Sequence, residues 1–150
     1  KMNPPLRSRE DMNALIDGVK DGTIDVIATD HAPHSKEEKS KGLKGSAMGV
    51  VGLETAFGVL NTKLVKTGVI SLEKLIDMMS VKPREIFDIL GGKIEVGAPA
   101  DLALLDIDKE WCVDPEKFVT MGRATPFQDW KLQGENLLTI YKGEIVYEAL

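Results

Sequence analysis

A single cysteine, Cys112, leaves this chain without an internal disulfide and without the thiolate cluster of a structural zinc site. No apolar run approaches the roughly 18 residues that suggest a bilayer span, and no charged-then-apolar leader opens the sequence. Positive charge is also scarce: 19 Lys and Arg against 24 Asp and Glu give a net charge of −5. That balance offers no basic footprint for nucleic acid and no attraction to anionic membranes. Internal repeats and low-complexity tracts are missing too. With these classes set aside, the expectation is a cytoplasmic globular chain. Its 150 residues, 43% hydrophobic and 29% charged, are enough to bury a sizeable core. The sequence opens at Lys1 with no initiator Met, and the reading is of a piece of a longer chain.

The most informative stretch is Val26-Ile27-Ala28-Thr29-Asp30-His31-Ala32-Pro33-His34. Apolar, partly β-branched residues predict a short buried strand over 24–29. The strand ends in a carboxylate, and Pro33 then takes the chain out of the sheet between two histidines. An Asp and a His at a strand's C-terminal mouth is how a barrel enzyme presents groups for metal and proton chemistry. The same residue types are also common where any strand stops.

Around this motif the pattern is α/β. Ser8 caps a predicted helix running to about Asp21, with Asp11 three residues on and Gly22 as its stop. The lysine-rich segment 35–45 reads as a solvated loop. Glycines beside an apolar run in Ala47-Met48-Gly49-Val50-Val51-Gly52 allow close backbone approach, to a ligand or in a plain turn. Apolar spacing predicts a helix over 53–67 closed by Gly68, with Glu54 at its N-terminal dipole. Further helices are predicted over 72–80, capped by Ser71, and over 83–90, stopped by Gly91-Gly92, with Met78 and Met79 filling the core. After that the character turns strand-rich. A strand is expected at 102–105, a short helical turn near 115–119, and a hairpin over 137–147 turning at Lys142-Gly143. A domain boundary is therefore expected near Gly92, giving units 1–92 and 93–150.

Three segments together closely resemble the end of a dihydroorotase of the amidohydrolase superfamily. They are Asn3-Pro4-Pro5-Leu6-Arg7, Ala28-Thr29-Asp30-His31-Ala32-Pro33-His34 and Gly52-Leu53-Glu54-Thr55. The tail, with Gly97-Ala98-Pro99-Ala100-Asp101-Leu102 and Tyr141-Lys142-Gly143, is similar to that superfamily's strands returning to a small β-sandwich. The resemblance implies an α/β fold: the C-terminal part of a metal-dependent (β/α)8 TIM barrel in 1–92, and β-sandwich strands in 93–150. The implied reaction is the reversible cyclisation of N-carbamoyl-L-aspartate to L-dihydroorotate, a step of pyrimidine biosynthesis. It places Asp30 after the eighth strand as both metal ligand and catalytic proton carrier. Asn3, His34, Met48 and Gly49 fall on substrate-binding positions; many family members have Phe-Gly where this chain has Met48-Gly49. His31 is expected to be a structural neighbour of the site rather than a ligand, and Arg7 an anchor of its loop.

The implied cofactor is Zn2+, one or two ions, with most ligands expected upstream of Lys1 together with the family's substrate arginine. A catalytic zinc takes about three protein ligands, so this piece alone is expected to be inactive. Its expected partners are the small-molecule substrate, the N-terminal part of the same protein, and a homo-oligomer or an aspartate transcarbamoylase assembly. The alternative readings are a non-catalytic dihydroorotase-like subunit of such an assembly, or another cyclic-amide hydrolase such as an allantoinase.

Overall fold

The first helix, α1, spans Arg9–Asp21 and is set by its caps. The Ser8 side chain accepts from the Asp11 N–H while the Asp11 carboxylate accepts from the Ser8 N–H, and Gly22 closes the helix with φ 87°. These bounds match the sequence expectation. The computed structural model describes residues 1–149 as a mixed α/β chain. Two single turns follow, α2 at Lys36–Lys39 and α3 at Gly42–Gly45, in the segment expected to be a plain loop. Helix α4 (Leu53–Leu60) runs on into a wide π turn over Asn61–Val65. Helices α5 (Leu72–Ile76) and α6 (Lys82–Ile86) are joined by a second π turn at Asp77–Val81.

Two helical expectations need correction. The predicted break between the helices at 72–80 and 83–90 does not occur. Pro83 has no N–H and its ring crowds the preceding turn, and the widened π turn just before it lets the helical path continue. The second helix also stops at Ile86, earlier than Gly91-Gly92, as Asp88 turns left-handed with φ 53°.

The predicted strand over 24–29 forms no ladder. Two of its apolar side chains reach the core: Ile24 and Ile27, both half-buried, pack on the cluster of Val19, Ile70, Leu75 and Met78, whereas Ala28 is exposed. What is missing is a neighbouring strand. The Ile27 N–H donates instead to the Met78 carbonyl at 3.2 Å, and the sheet of the described residues lies elsewhere. That sheet is an antiparallel meander of β1 (Leu102–Cys112), β2 (Lys131–Tyr141) and β3 (Glu144–Glu148) in the order β1-β2-β3. The β2–β3 hairpin turns at Lys142-Gly143, with φ 52° and 83°, the backbone of a tight two-residue turn. Strand β1 is longer than the four residues expected, and it is interrupted where the pairing shifts between Asp106 and Glu110. There the Asp106 carboxylate accepts from the Asp108 and Lys109 N–H groups, which hold its pKa below the usual carboxylate range. A 3-10 turn at Pro115–Lys117 lies within the expected short helical turn.

The sheet is fastened to α4. Asn61, fully buried, donates from Nδ2 to the carbonyls of Ile107 and Gln133, each at 2.9 Å. The Thr62 hydroxyl accepts from the Gln133 N–H at 2.7 Å. Val113 and Leu132 bury themselves with Val51 and Phe118 in a second apolar cluster. Asn61→Ala strands the half-buried Ile107 carbonyl and leaves that of Gln133 with only the Thr62 hydroxyl at 3.3 Å; an unsatisfied buried group costs about 1–3 kcal/mol. Urea unfolding of the full-length variant is therefore expected to show a loss of about 1–3 kcal/mol with unchanged m.

Candidate active site

At the end of the 24–29 segment, Asp30 takes a left-handed conformation with φ 45°. Asp tolerates that region better than most residues. Its side chain is exposed rather than packed into the interior. Two residues on, the Ala32 N–H donates to the Val50 carbonyl at 3.0 Å, which brings the motif against segment 47–50. Gly49 allows that approach: with φ 123°, a Cβ built on it would lie 2.5 Å from the Ala32 Cβ.

His34 completes the join. Its Nε2 lies 2.8 Å from the Met48 carbonyl, which only accepts, so Nε2 carries the proton in this bond. Its Nδ1 sits 3.7 Å from a Glu38 carboxylate oxygen. Glu38 belongs to the capping box of α2, where it accepts from the Ser35 N–H at 2.9 Å. The Ser35 N–H, with the Ser35 hydroxyl, holds the Glu38 pKa below the usual carboxylate range. The cap is therefore in place above ordinary carboxylate pKa values and is lost as the pH falls through the depressed one.

The N-terminal loop meets the same place. The Gly49 N–H donates to the Lys1 carbonyl at 2.9 Å, and Asn3 follows two residues later, exposed. Thus His34, Met48, Gly49 and the loop carrying Asn3 are brought to one locality, and Asp30 precedes the joined Ala32 by two residues. Arg7 lies exposed in the linker to α1. Lys39 was not distinguishable in the sequence from its neighbouring lysines. Its ammonium donates to the carbonyls of Gly49, Ala47 and Lys1 at 2.7, 3.0 and 3.3 Å.

His31 faces a different way. Its Nδ1 accepts from the N–H groups of Gly52 and Leu53 at 3.0 and 3.2 Å, which caps α4 and leaves the proton on Nε2. The ring lines a cavity of about 750 Å³ together with Glu54, Trp111, Asp114, Phe118 and Tyr147. None of Asp30, Asn3, His34 or Met48 borders it. Glu54 sits in the first turn of α4, as expected, and its carboxylate also accepts from the Val119 and Thr120 N–H groups at 2.9 and 3.0 Å.

For metal binding, the chain's own donor set is small. No group of three His, Cys, Asp or Glu among the described residues is placed to hold an ion. Asp30 is exposed and belongs to no such group; one carboxylate does not by itself hold a catalytic zinc, which takes about three protein ligands. No described helix is long and apolar enough to cross a membrane.

Comparison with known proteins places these observations in context. The model of the amidohydrolase family matches residues 3–146. Dihydroorotases from Brevibacillus brevis and Bacillus caldolyticus are 55% and 53% identical over 148 residues, which is 99% of this chain and 35% of each relative. The chain therefore spans about a third of the length of these relatives. Among solved structures, an L-hydantoinase (dihydropyrimidinase) from Arthrobacter aurescens superposes with a TM-score of 0.89 at 35% identity, over 99% of this chain and 34% of that one. A dihydropyrimidinase from Brevibacillus agri shares the fold, with a TM-score of 0.89 at 24% identity, over 98% of this chain and 33% of that one.

Proposed function

Because this chain belongs to the amidohydrolase family, we propose that it is the C-terminal part of a dihydroorotase. In that reading it forms one wall of the site that interconverts N-carbamoyl-L-aspartate and L-dihydroorotate in pyrimidine biosynthesis. The observation that carries it is the junction of the Asp30–His34 motif, Met48-Gly49 and the Asn3 loop through the bonds Ala32–Val50, His34–Met48 and Gly49–Lys1. The 49–55% identity to dihydroorotases across almost the whole chain supports the same substrate class.

Residues 1–92 would form the last part of a (β/α)8 barrel and residues 93–150 strands of a small β-sandwich. The rest of the protein would then supply neighbours for the unladdered 24–29 segment. It would also cover apolar side chains such as Leu90, Ile94 and Val96, which are 94%, 92% and 107% exposed here. Zinc, one ion or two, would take Asp30 as its ligand from this chain. When bound it would supply Lewis acidity toward the amide carbonyl and an activated water.

The chain's own residues would do the rest. In ring opening, the Asp30 carboxylate takes the proton released as water adds to the ring carbonyl. It then delivers that proton to the departing ring nitrogen. Ring closure reverses both transfers. The Asn3 amide can donate and accept at once, which suits the ring's paired C=O and N–H or the substrate carboxylate. Main-chain groups at Met48-Gly49 meet the ring. His34 would reach the substrate carboxylate once its Nε2–H leaves the Met48 carbonyl, and it would otherwise hold that segment in place.

The likeness to a hydantoinase at 35% identity favours, as a second reading, action on another cyclic amide. The full-length protein, supplied with zinc, separates the two on a panel of dihydroorotate, N-carbamoyl-L-aspartate, hydantoin and allantoin. The expected result is turnover of the first pair, abolished by a chelator and restored by zinc, with at least about a hundredfold lower kcat/KM on the other rings. Turnover of hydantoin or allantoin in preference, or of nothing, overturns the proposal.

A further inference from the structure

A lysine ammonium has three N–H groups and no acceptor. That of Lys39, half-buried, directs them at three main-chain carbonyls from two separate segments. Two of these carbonyls, Ala47 and Gly49, flank the Met48-Gly49 pair, and the third belongs to Lys1 at the head of the Asn3 loop. The Lys1 carbonyl also accepts from the Gly49 N–H, so the ammonium closes a small network joining both substrate segments. We propose that Lys39 is a positioning residue: its ammonium gathers the carbonyls of Lys1, Ala47 and Gly49 and thereby fixes the peptide groups that face substrate. This rests on the reading that Met48-Gly49 and Asn3 meet substrate.

The geometry explains what such a clamp achieves. In a trans peptide the C=O and N–H point in opposite directions. The Ala47 and Gly49 carbonyls turn toward Lys39, so the Met48 and Val50 N–H groups turn away from it. Neither of those N–H groups donates to a described backbone or side-chain acceptor. A pair of outward main-chain donors flanking Gly49 suits a ligand carbonyl or carboxylate. Lys39 itself has no N–H left over, so it acts through the backbone and not by touching substrate. The flanking capping box, with Ser35 and Glu38, sets the turn from which Lys39 projects.

The test uses the full-length protein with Lys39→Ala, and with Lys36→Ala as the control on an exposed lysine of the same turn. Wild-type turnover of N-carbamoyl-L-aspartate is measured first, so that failure of the functional reading shows separately. For Lys39→Ala the expected result is a KM at least about tenfold higher, with kcat within about threefold. Ethylammonium at tens of millimolar should lower that KM again and leave Lys36→Ala unaffected. Loss confined to thermal stability, or a KM that neither rises nor responds to ethylammonium, overturns the proposal. If Lys39→Ala does not accumulate, Lys39→Arg carries the same test. A planar guanidinium cannot serve three carbonyls converging on one nitrogen, so its KM should rise at least about threefold. An Arg variant with wild-type KM overturns the clamp.

Discussion

Asp30→Asn in the full-length protein is expected to lower kcat for both directions by about a thousandfold, within the range that a positioned proton carrier contributes. The substitution isolates chemistry from folding. Asn accepts the left-handed conformation that Asp30 adopts at φ 45° as readily as Asp does. The side chain is exposed, so no buried packing is lost. Thermal stability should stay within about 2 °C of wild type, since exposed substitutions rarely exceed about 0.5 kcal/mol. Steady-state rates with zinc in excess, alongside a melting curve, check both halves. The metal content of the variant should also fall, because an amide is a poorer ligand than a carboxylate. A kcat within tenfold of wild type would remove Asp30 from the reaction.

Gly49→Ala is expected to damage binding more than turnover. The added Cβ would stand 2.5 Å from the Ala32 Cβ and 3.0 Å from the Ala32 carbonyl, on a backbone at φ 123°. Strain of this kind costs about 1–3 kcal/mol. Segment 48–50 can relieve it only by withdrawing from the motif, which breaks the Ala32–Val50 and Gly49–Lys1 bonds together. A KM increase of about tenfold or more follows if these peptide groups meet substrate. Ala32→Gly placed in the same chain removes the Cβ–Cβ clash but not the φ penalty, so it should recover part of the loss. An unchanged KM in Gly49→Ala would mean that the 47–50 segment does not touch substrate.

What the sequence made legible was chiefly local. Ser8 and Gly22 announced α1 through cap chemistry, and Lys142-Gly143 announced a hairpin because adjacent strands need only a two-residue turn. The 24–29 segment was read as a buried strand, but among the described residues it is half-buried and forms no ladder. Side-chain pattern reports burial, whereas a ladder depends on a neighbour distant in sequence. The break expected before Pro83 failed for a related reason: a π turn can absorb a proline, and nothing in composition marks one.

At the site, the motif residues were visible because Asp, His, Pro and Gly in that order constrain both backbone and chemistry. His34 and Met48, fourteen positions apart, are joined by a bond that no spacing rule would supply. Lys39 was invisible for the opposite reason. One lysine in a lysine-rich loop looks like its neighbours until the fold brings three carbonyls to it.

The most direct measurement is a crystal structure of the full-length protein with L-dihydroorotate bound. It should show the ligand against Asp30, Asn3, His34 and the main chain of Met48-Gly49, with Lys39 still holding its three carbonyls. A ligand seated instead in the 750 Å³ cavity beside Trp111 and Tyr147, with Asp30 remote from it, would contradict the account.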